Sequence, residues 1–176
     1  VPLIIYIDAS SMPLVLIAAT MFFEQDEGTI RTLLVSPISK SEYILAKLLA
    51  NISTNILTLI LLYGYISIFK EISLSFLGLL GASIIIAFFH GLIGFIITYR
   101  SRDFTDSLMG MMKYIFIFTI SVLFERMGLI KNEIISKILY IMPTKSATIL
   151  LQGTGGLADK KEVVLALLYL ILASLV

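Results

Sequence analysis

A single histidine, His90, sits within an apolar run directly before Gly91. Transition-metal sites draw three or four convergent ligands, and this chain has no Cys, no second His and no HExxH. His90 therefore reads as a polar group satisfied between helices, or as a contact for a proton or substrate, since ionisable residues inside membrane segments are functional candidates. No GxxxxGK[ST] phosphate loop occurs. The nearest look-alike, Gly153-Thr154-Gly155-Gly156-Leu157-Ala158-Asp159-Lys160-Lys161, has the wrong spacing and does not join a strand to a helix. No serine in a spanning run has a partner base nearby, and paired intramembrane aspartates are absent. Residues fit for catalysis or for holding a metal or cofactor are thus missing, and none of these activities is expected of the chain.

The informative chemistry lies in Phe22 to Lys47, FFEQDEGTIRTLLVSPISKSEYILAK, the longest polar interruption between apolar segments. It carries Glu24, Asp26, Glu27, Arg31, Lys40, Glu42 and Lys47, yet encloses the apolar group Ile30, Leu33 and Leu34. A purely solvating loop has no need of that group, whereas a short amphipathic helix lying on a membrane or pressed into a partner does. Gly28 permits a sharp bend, Thr29 can cap a helix of Ile30 to Val35, and Pro37 ends it. Ser39-Lys40-Ser41-Glu42 then has the S-x-x-E form of a capping box and restarts the chain as a new helix. Glu24 and Lys47 flank the device on the two adjoining helices and can pair across it.

The elements that must position this stretch are membrane helices. The chain of 176 residues is 59% hydrophobic and 14% charged, with a mean hydropathy of +1.02, whereas soluble domains carry roughly 25% charge. Its continuous apolar runs suit helices of ~20 residues and not the alternating ~10-residue strands of a barrel. The fold class is all-α: a polytopic membrane protein with five spanning helices in a single transmembrane domain over 1–176. The missing initiator Met and the apolar ending at Val176 suggest truncation at both ends, with six spans in the full chain.

The first span is expected from about Ser10 to Phe23, capped by Asp8 or Ser10, with Pro13 in its first turn and residues 1–7 at an interface. At that length it must tilt little or run on past Phe23. The second runs from Lys40 to Phe69, about 45 Å at 1.5 Å per residue, and the third from Leu74 to Tyr99 after a tight turn at 70–73. Gly78, Gly81, Gly91 and Gly94 give this third helix small residues at a spacing that allows close approach. Arg100 to Asp106 forms a polar loop, followed by a Met-rich span from Ser107 to Phe124 in which Lys113 snorkels outward. Between Glu125 and Glu162, apolar pieces too short to span are broken by Pro143 and the glycines at 153, 155 and 156. Two short re-entrant or interfacial helices fit there, because exposed backbone is intolerable in hydrocarbon. The last span starts near Lys161. Thirteen Lys and Arg against twelve Asp and Glu leave no basic surface suited to nucleic acid. Their distribution mildly favours the Arg100/Arg102 side as cytoplasmic.

Together, FEQDEGTIRTLLVSPISKSEYILAK and the order of spans resemble the membrane subunits of ABC type-2 exporters, including drug-export permeases. The sequence-specific part of the likeness is Glu24 to Lys47. It implies that Glu24, Gly28, Thr29, Ile30, Arg31, Leu33, Leu34 and Pro37 belong to a cytoplasmic coupling helix docked on a separate ATPase subunit, and that the helices near Pro143 are extracellular. It further implies a second permease chain, identical or related, with ATP and Mg held by the ATPase partner, in a multi-pass cytoplasmic membrane location of prokaryotic type. An amphipathic substrate would leave outward by alternating access along a path offered by Asn51, Asn55, Tyr63, Tyr65 and His90. The competing expectation is a membrane scaffold or assembly protein without transport.

Overall fold

The computed structural model describes residues 2–29, 32, 35–69, 75–130 and 132–175, and those residues form helices joined by short connections, without a strand among them. Helix α1 is Pro2–Asp26, α2 Lys40–Phe69, α3 Phe76–Arg100 and α4 the composite Phe104–Arg126. The short helices α5 (Glu133–Leu139) and α6 (Pro143–Gly153) precede α7 (Lys160–Leu175). Among the described residues four helices, α1 to α4, are long and apolar enough to cross a membrane, which makes this a multi-pass membrane architecture; α7, where the fifth span is expected, is described over 16 residues and is not one of the four.

Helix α2 has the bounds expected from Lys40 to Phe69, and its start is fixed chemically. Glu42 accepts from both the Ser39 amide and the Ser39 hydroxyl at 2.8 Å, while the Glu42 amide donates back to Ser39 Oγ at 3.3 Å. Helix α1 corrects the expectation of a span beginning near Ser10. Asp8 and Ser10 lie inside the helix and do not cap it, because each has a partner there: Ser10 Oγ donates to the Tyr6 carbonyl at 2.6 Å, and Asp8 accepts from Asn55 Nδ2 at 3.3 Å. Pro13 is accordingly mid-helix, where it has no N–H to offer the preceding turn. At the other end the helix does continue past Phe23, as far as Asp26.

Ser75 caps α3, accepting from the Gly78 amide at 3.3 Å; Leu74 and the turn predicted at 70–73 lie outside the described residues. Helix α4 starts three residues earlier than predicted, because the Asp103 carboxylate caps the Asp106 amide at 2.8 Å and draws Phe104 to Asp106 out of the loop. Its middle, Ile115–Ile120, is a π-helix.

The ends meet in two groups. Glu24 of α1, Lys47 of α2, Thr98 of α3 and Ser107 of α4 share one end, tied by Glu24–Lys47, by Thr98 Oγ1 to Ser107 Oγ at 3.1 Å and by the Phe22–Phe104 ring edge at 5.7 Å. At the opposite end, Tyr63 of α2 packs on Phe76 of α3 with ring centroids 5.0 Å apart, and the Ser75 amide donates to the Thr154 carbonyl at 3.2 Å. Helix α1 lies at the centre, in contact with α2, α3, α4 and α6. The glycines of α3 do different work. A Cβ on Gly94 would sit 3.0 Å from the Leu14 Cα, so α1 and α3 touch backbone to backbone there. One on Gly91 would meet the Leu48 side chain and one on Gly78 the Thr154 side chain, whereas Gly81 faces open space.

Candidate functional site

The most specific stretch of the sequence joins α1 to α2, and its two flanks form a bracket. The Glu24 carboxylate is shared: Oε1 pairs with Lys47 Nζ, and Oε2 accepts from Tyr43 OH at 2.8 Å. Lys47 also stands 5.7 Å from the Tyr43 ring centroid. Residues 43 and 47 are one helical turn apart, so both reach the same carboxylate from α2. The Lys47 and Glu24 side chains keep only 16% and 24% of their exposure, which takes the pair out of the surface class in which water screens most of the attraction. Beyond Glu24 the chain turns at Gly28, whose φ of 73° only glycine adopts freely. Thr29, Val35 and Pro37 are exposed, and the Ser36 hydroxyl accepts from the Ile38 amide at 3.3 Å. Ile30, Arg31, Leu33 and Leu34, the predicted contact face of the coupling helix, lie outside the described residues.

The five candidate path residues do not converge on one cavity. Asn51 and Asn55 are buried against α1, where Asn51 Nδ2 donates to the Pro13 carbonyl at 2.9 Å and Asn55 Nδ2 reaches Asp8. His90 is wholly buried: Nδ1 lies 2.8 Å from the Ile86 carbonyl, Nε2 has no partner, and the ring stands edge-on to Tyr114 at 6.0 Å. Tyr63 is half-buried against Phe76, and Tyr65 is exposed on α2. The interior of the bundle thus carries polar side chains at several depths, some of which, Asn51, Asn55, Thr98, Ser107 and Thr144, tie helices together. Among the described residues no three His, Cys, Asp or Glu side chains group as they would around a metal.

Three groups went unrecognised in the sequence. Asp8 reads as a helix-capping residue because its partner Asn55 is 47 positions away. Tyr6, whose hydroxyl donates to the Thr119 carbonyl at 3.3 Å, is one aromatic residue among many. At the end opposite the bracket, Glu125 takes Lys145 on one oxygen and the Ser136 hydroxyl on the other, with Lys145 5.0 Å from the Tyr140 ring centroid. Burial, with Glu162 and Glu125 nearby, holds the Tyr140 phenol above its ordinary pKa. No local signal marks this pair: Glu125 stands beside Arg126, Lys145 lies between Thr144 and Ser146, and the two partners are 20 positions apart. Comparison with protein-family models, curated proteins and solved structures returned no significant match.

Proposed function

We infer that the chain is the membrane-spanning subunit of an ATP-driven exporter of the ABC type-2 kind, and that the segment between α1 and α2 docks on a separate ATPase. The observation that carries this is the Glu24–Lys47–Tyr43 bracket. It fixes the ends of α1 and α2 to each other on either side of the 27–39 segment, so a push on that segment moves both helices. A salt-bridged, half-buried fastening suits force transmission, which a loose connection would dissipate. On this assignment the bracket end is cytoplasmic, α7 is the fifth span, α5 and α6 lie toward the outside, and the membrane is a prokaryotic-type cytoplasmic membrane. Two such chains, identical or related, enclose the path, and exposed Tyr65 is the candidate path residue best placed to face a second chain. Tyr and Met side chains in an aliphatic setting favour an amphipathic drug or lipid over a sugar or ion. The chain itself performs no hydrolysis; ATP and Mg belong to the partner.

The test is co-purification with an ATPase subunit recognisable by GxxxxGK[ST], sought first in the reading frames adjacent to this chain's own. An Ile30→Asp/Leu34→Asp variant should lose the partner and its stimulated ATP hydrolysis. Unchanged binding refutes the docking role, and absence of substrate-stimulated turnover in proteoliposomes favours a scaffold instead.

A further inference from the structure

The π segment of α4, Ile115-Phe116-Ile117-Phe118-Thr119-Ile120, contains no Pro or Gly to force an irregular turn. Such segments are rare and usually short, and they recur at functional positions. Here the irregularity is held from outside. The Phe118 carbonyl accepts from Thr144 Oγ1 of α6 at 2.9 Å, and the Thr119 carbonyl accepts from the Tyr6 hydroxyl of α1. Both donors are buried, with Thr144 at 0% and Tyr6 at 1% exposure. Two other helices therefore clasp the carbonyls along the irregular stretch.

The segment's own threonine bears a matching mark. Thr20, Thr54, Thr58, Thr98 and Thr148 each donate a hydroxyl to the carbonyl four residues back in their helix. Thr119 does not; its Oγ1 is buried without a partner. Regular α geometry would bring the Ile115 carbonyl within its reach. The two halves of α4 are also unequally fixed. Phe104–Tyr114 is anchored by the Asp103 cap and the Thr98–Ser107 bond, while Ser121–Arg126 is only six residues long and held by Glu125 and the buried Val122.

We propose that Ile115–Ile120 is a register hinge with two states. In the state seen here, Tyr6 and Thr144 hold the π turn, and Glu125 fastens α6 through Lys145 and α5 through Ser136. In the other, the segment closes into a regular α ladder, and Ser121–Arg126 turns by about 100° and shifts by about 1.5 Å, one residue's share of an α-helix. That turn gives Thr119 its carbonyl, takes Val122 out of the core and carries Glu125 off Lys145 and Ser136, which frees the α5–α6 pair. The device is independent of any ATPase and of transport, so its test bears on it alone.

The absence of Cys allows two labels to be placed at will. Spin labels at Phe124→Cys, in the short half of α4, and Leu77→Cys, on α3, report the turn by pulsed electron resonance with the full chain in nanodiscs. Both sites are exposed, at 44% and 80%. With side chains about 5–6 Å from the helix axis, a 100° turn displaces the Phe124 label by about 8 Å. Tyr6→Phe/Thr144→Val should add a second distance population shifted by up to that amount, while Thr144→Ser keeps the single one. Deleting Ile117 closes the ladder with both halves in place, and the clasp substitutions should then add nothing. If the double variant does not fold, Tyr6→Phe alone carries the test with a smaller second population. An unchanged single distance overturns the hinge, as does a second population that persists in the Ile117 deletion, since that would signal general loosening.

Discussion

Alanine substitution along α3 should reverse sign within fourteen residues, because its glycines face different surroundings. At Gly94 the new Cβ would lie 3.0 Å from the Leu14 Cα and 3.2 Å from its carbonyl oxygen. Both are backbone atoms of the central helix, so α1 must back away by several tenths of an ångström along a long contact. Overpacking of this kind costs about 1–3 kcal/mol, and the rigid neighbour puts Gly94 in the upper part of that range. The gain in helix propensity, up to about 1 kcal/mol, leaves a net loss near 1–2 kcal/mol. At Gly91 the close atom is the Leu48 Cδ2, the far end of a side chain that can turn aside, so the two terms nearly cancel. At Gly81 nothing lies within 4 Å, and Gly81→Ala should stabilise by about 0.5–1 kcal/mol. The order of stability is therefore Gly81→Ala, then Gly91→Ala, then Gly94→Ala, with about 2–3 kcal/mol between the extremes by the same terms. Reversible unfolding in mixed micelles over a denaturing-detergent titration measures the spread. A Gly94→Ala protein as stable as Gly81→Ala would refute the backbone contact of α1 with α3, and with it the placement of α1 at the centre.

Two further tests follow from the paired charges. Glu24→Gln and Lys47→Met, taken singly and together, should give a coupling energy of about 1–3 kcal/mol in the same titration, between the values for exposed and buried pairs; a coupling near zero would mean that the bracket does not hold α1 to α2. Lys145→Met leaves the Glu125 carboxylate in a half-buried site with only Ser136 for a partner and should cost about 3 kcal/mol, much of it regained in the Glu125→Gln/Lys145→Met protein, so a double variant worse than the single would contradict the pairing.

Four of the five expected spans were legible because hydrocarbon demands long apolar runs, and α2 was legible almost to the residue because Ser39 and Glu42 form a local cap that needs nothing distant. The Glu24–Lys47 pair could be anticipated from position, since each sits just inside a helix at the same connection. The start of α1 was not legible. Asp8 and Ser10 look like breaks in an apolar run, and only Asn55 and the Tyr6 carbonyl make them tolerable within a helix. Asn51 and Asn55 drew attention as polar residues in a membrane span, but their partners on α1 are a tertiary matter. The π turn had no signature in sequence because the groups that hold it, Tyr6 and Thr144, are remote hydroxyls and not local breakers.

The ties along α1 divide the bundle mechanically. Toward α2 the described residues include polar links at different depths, namely Glu24 with Lys47 and Tyr43, the Pro13 carbonyl with Asn51, and Asp8 with Asn55. Sliding α1 along α2 would break all three, and two of them leave buried groups unpaired at about 1–3 kcal/mol each. Toward α4, among the described residues, the Tyr6 hydroxyl donates to the Thr119 carbonyl at 3.3 Å, a longer bond onto a segment already out of α register. A load applied at the 27–39 connection is therefore carried by α1 and α2 together, and by α3 through its backbone contact with α1 at Gly94. Compliance falls at the α4 contact, where the Tyr6 hydroxyl meets the π turn, and the consequence of such a load is a change in α4 and the short helices beyond it, with the α1–α2 pair left intact.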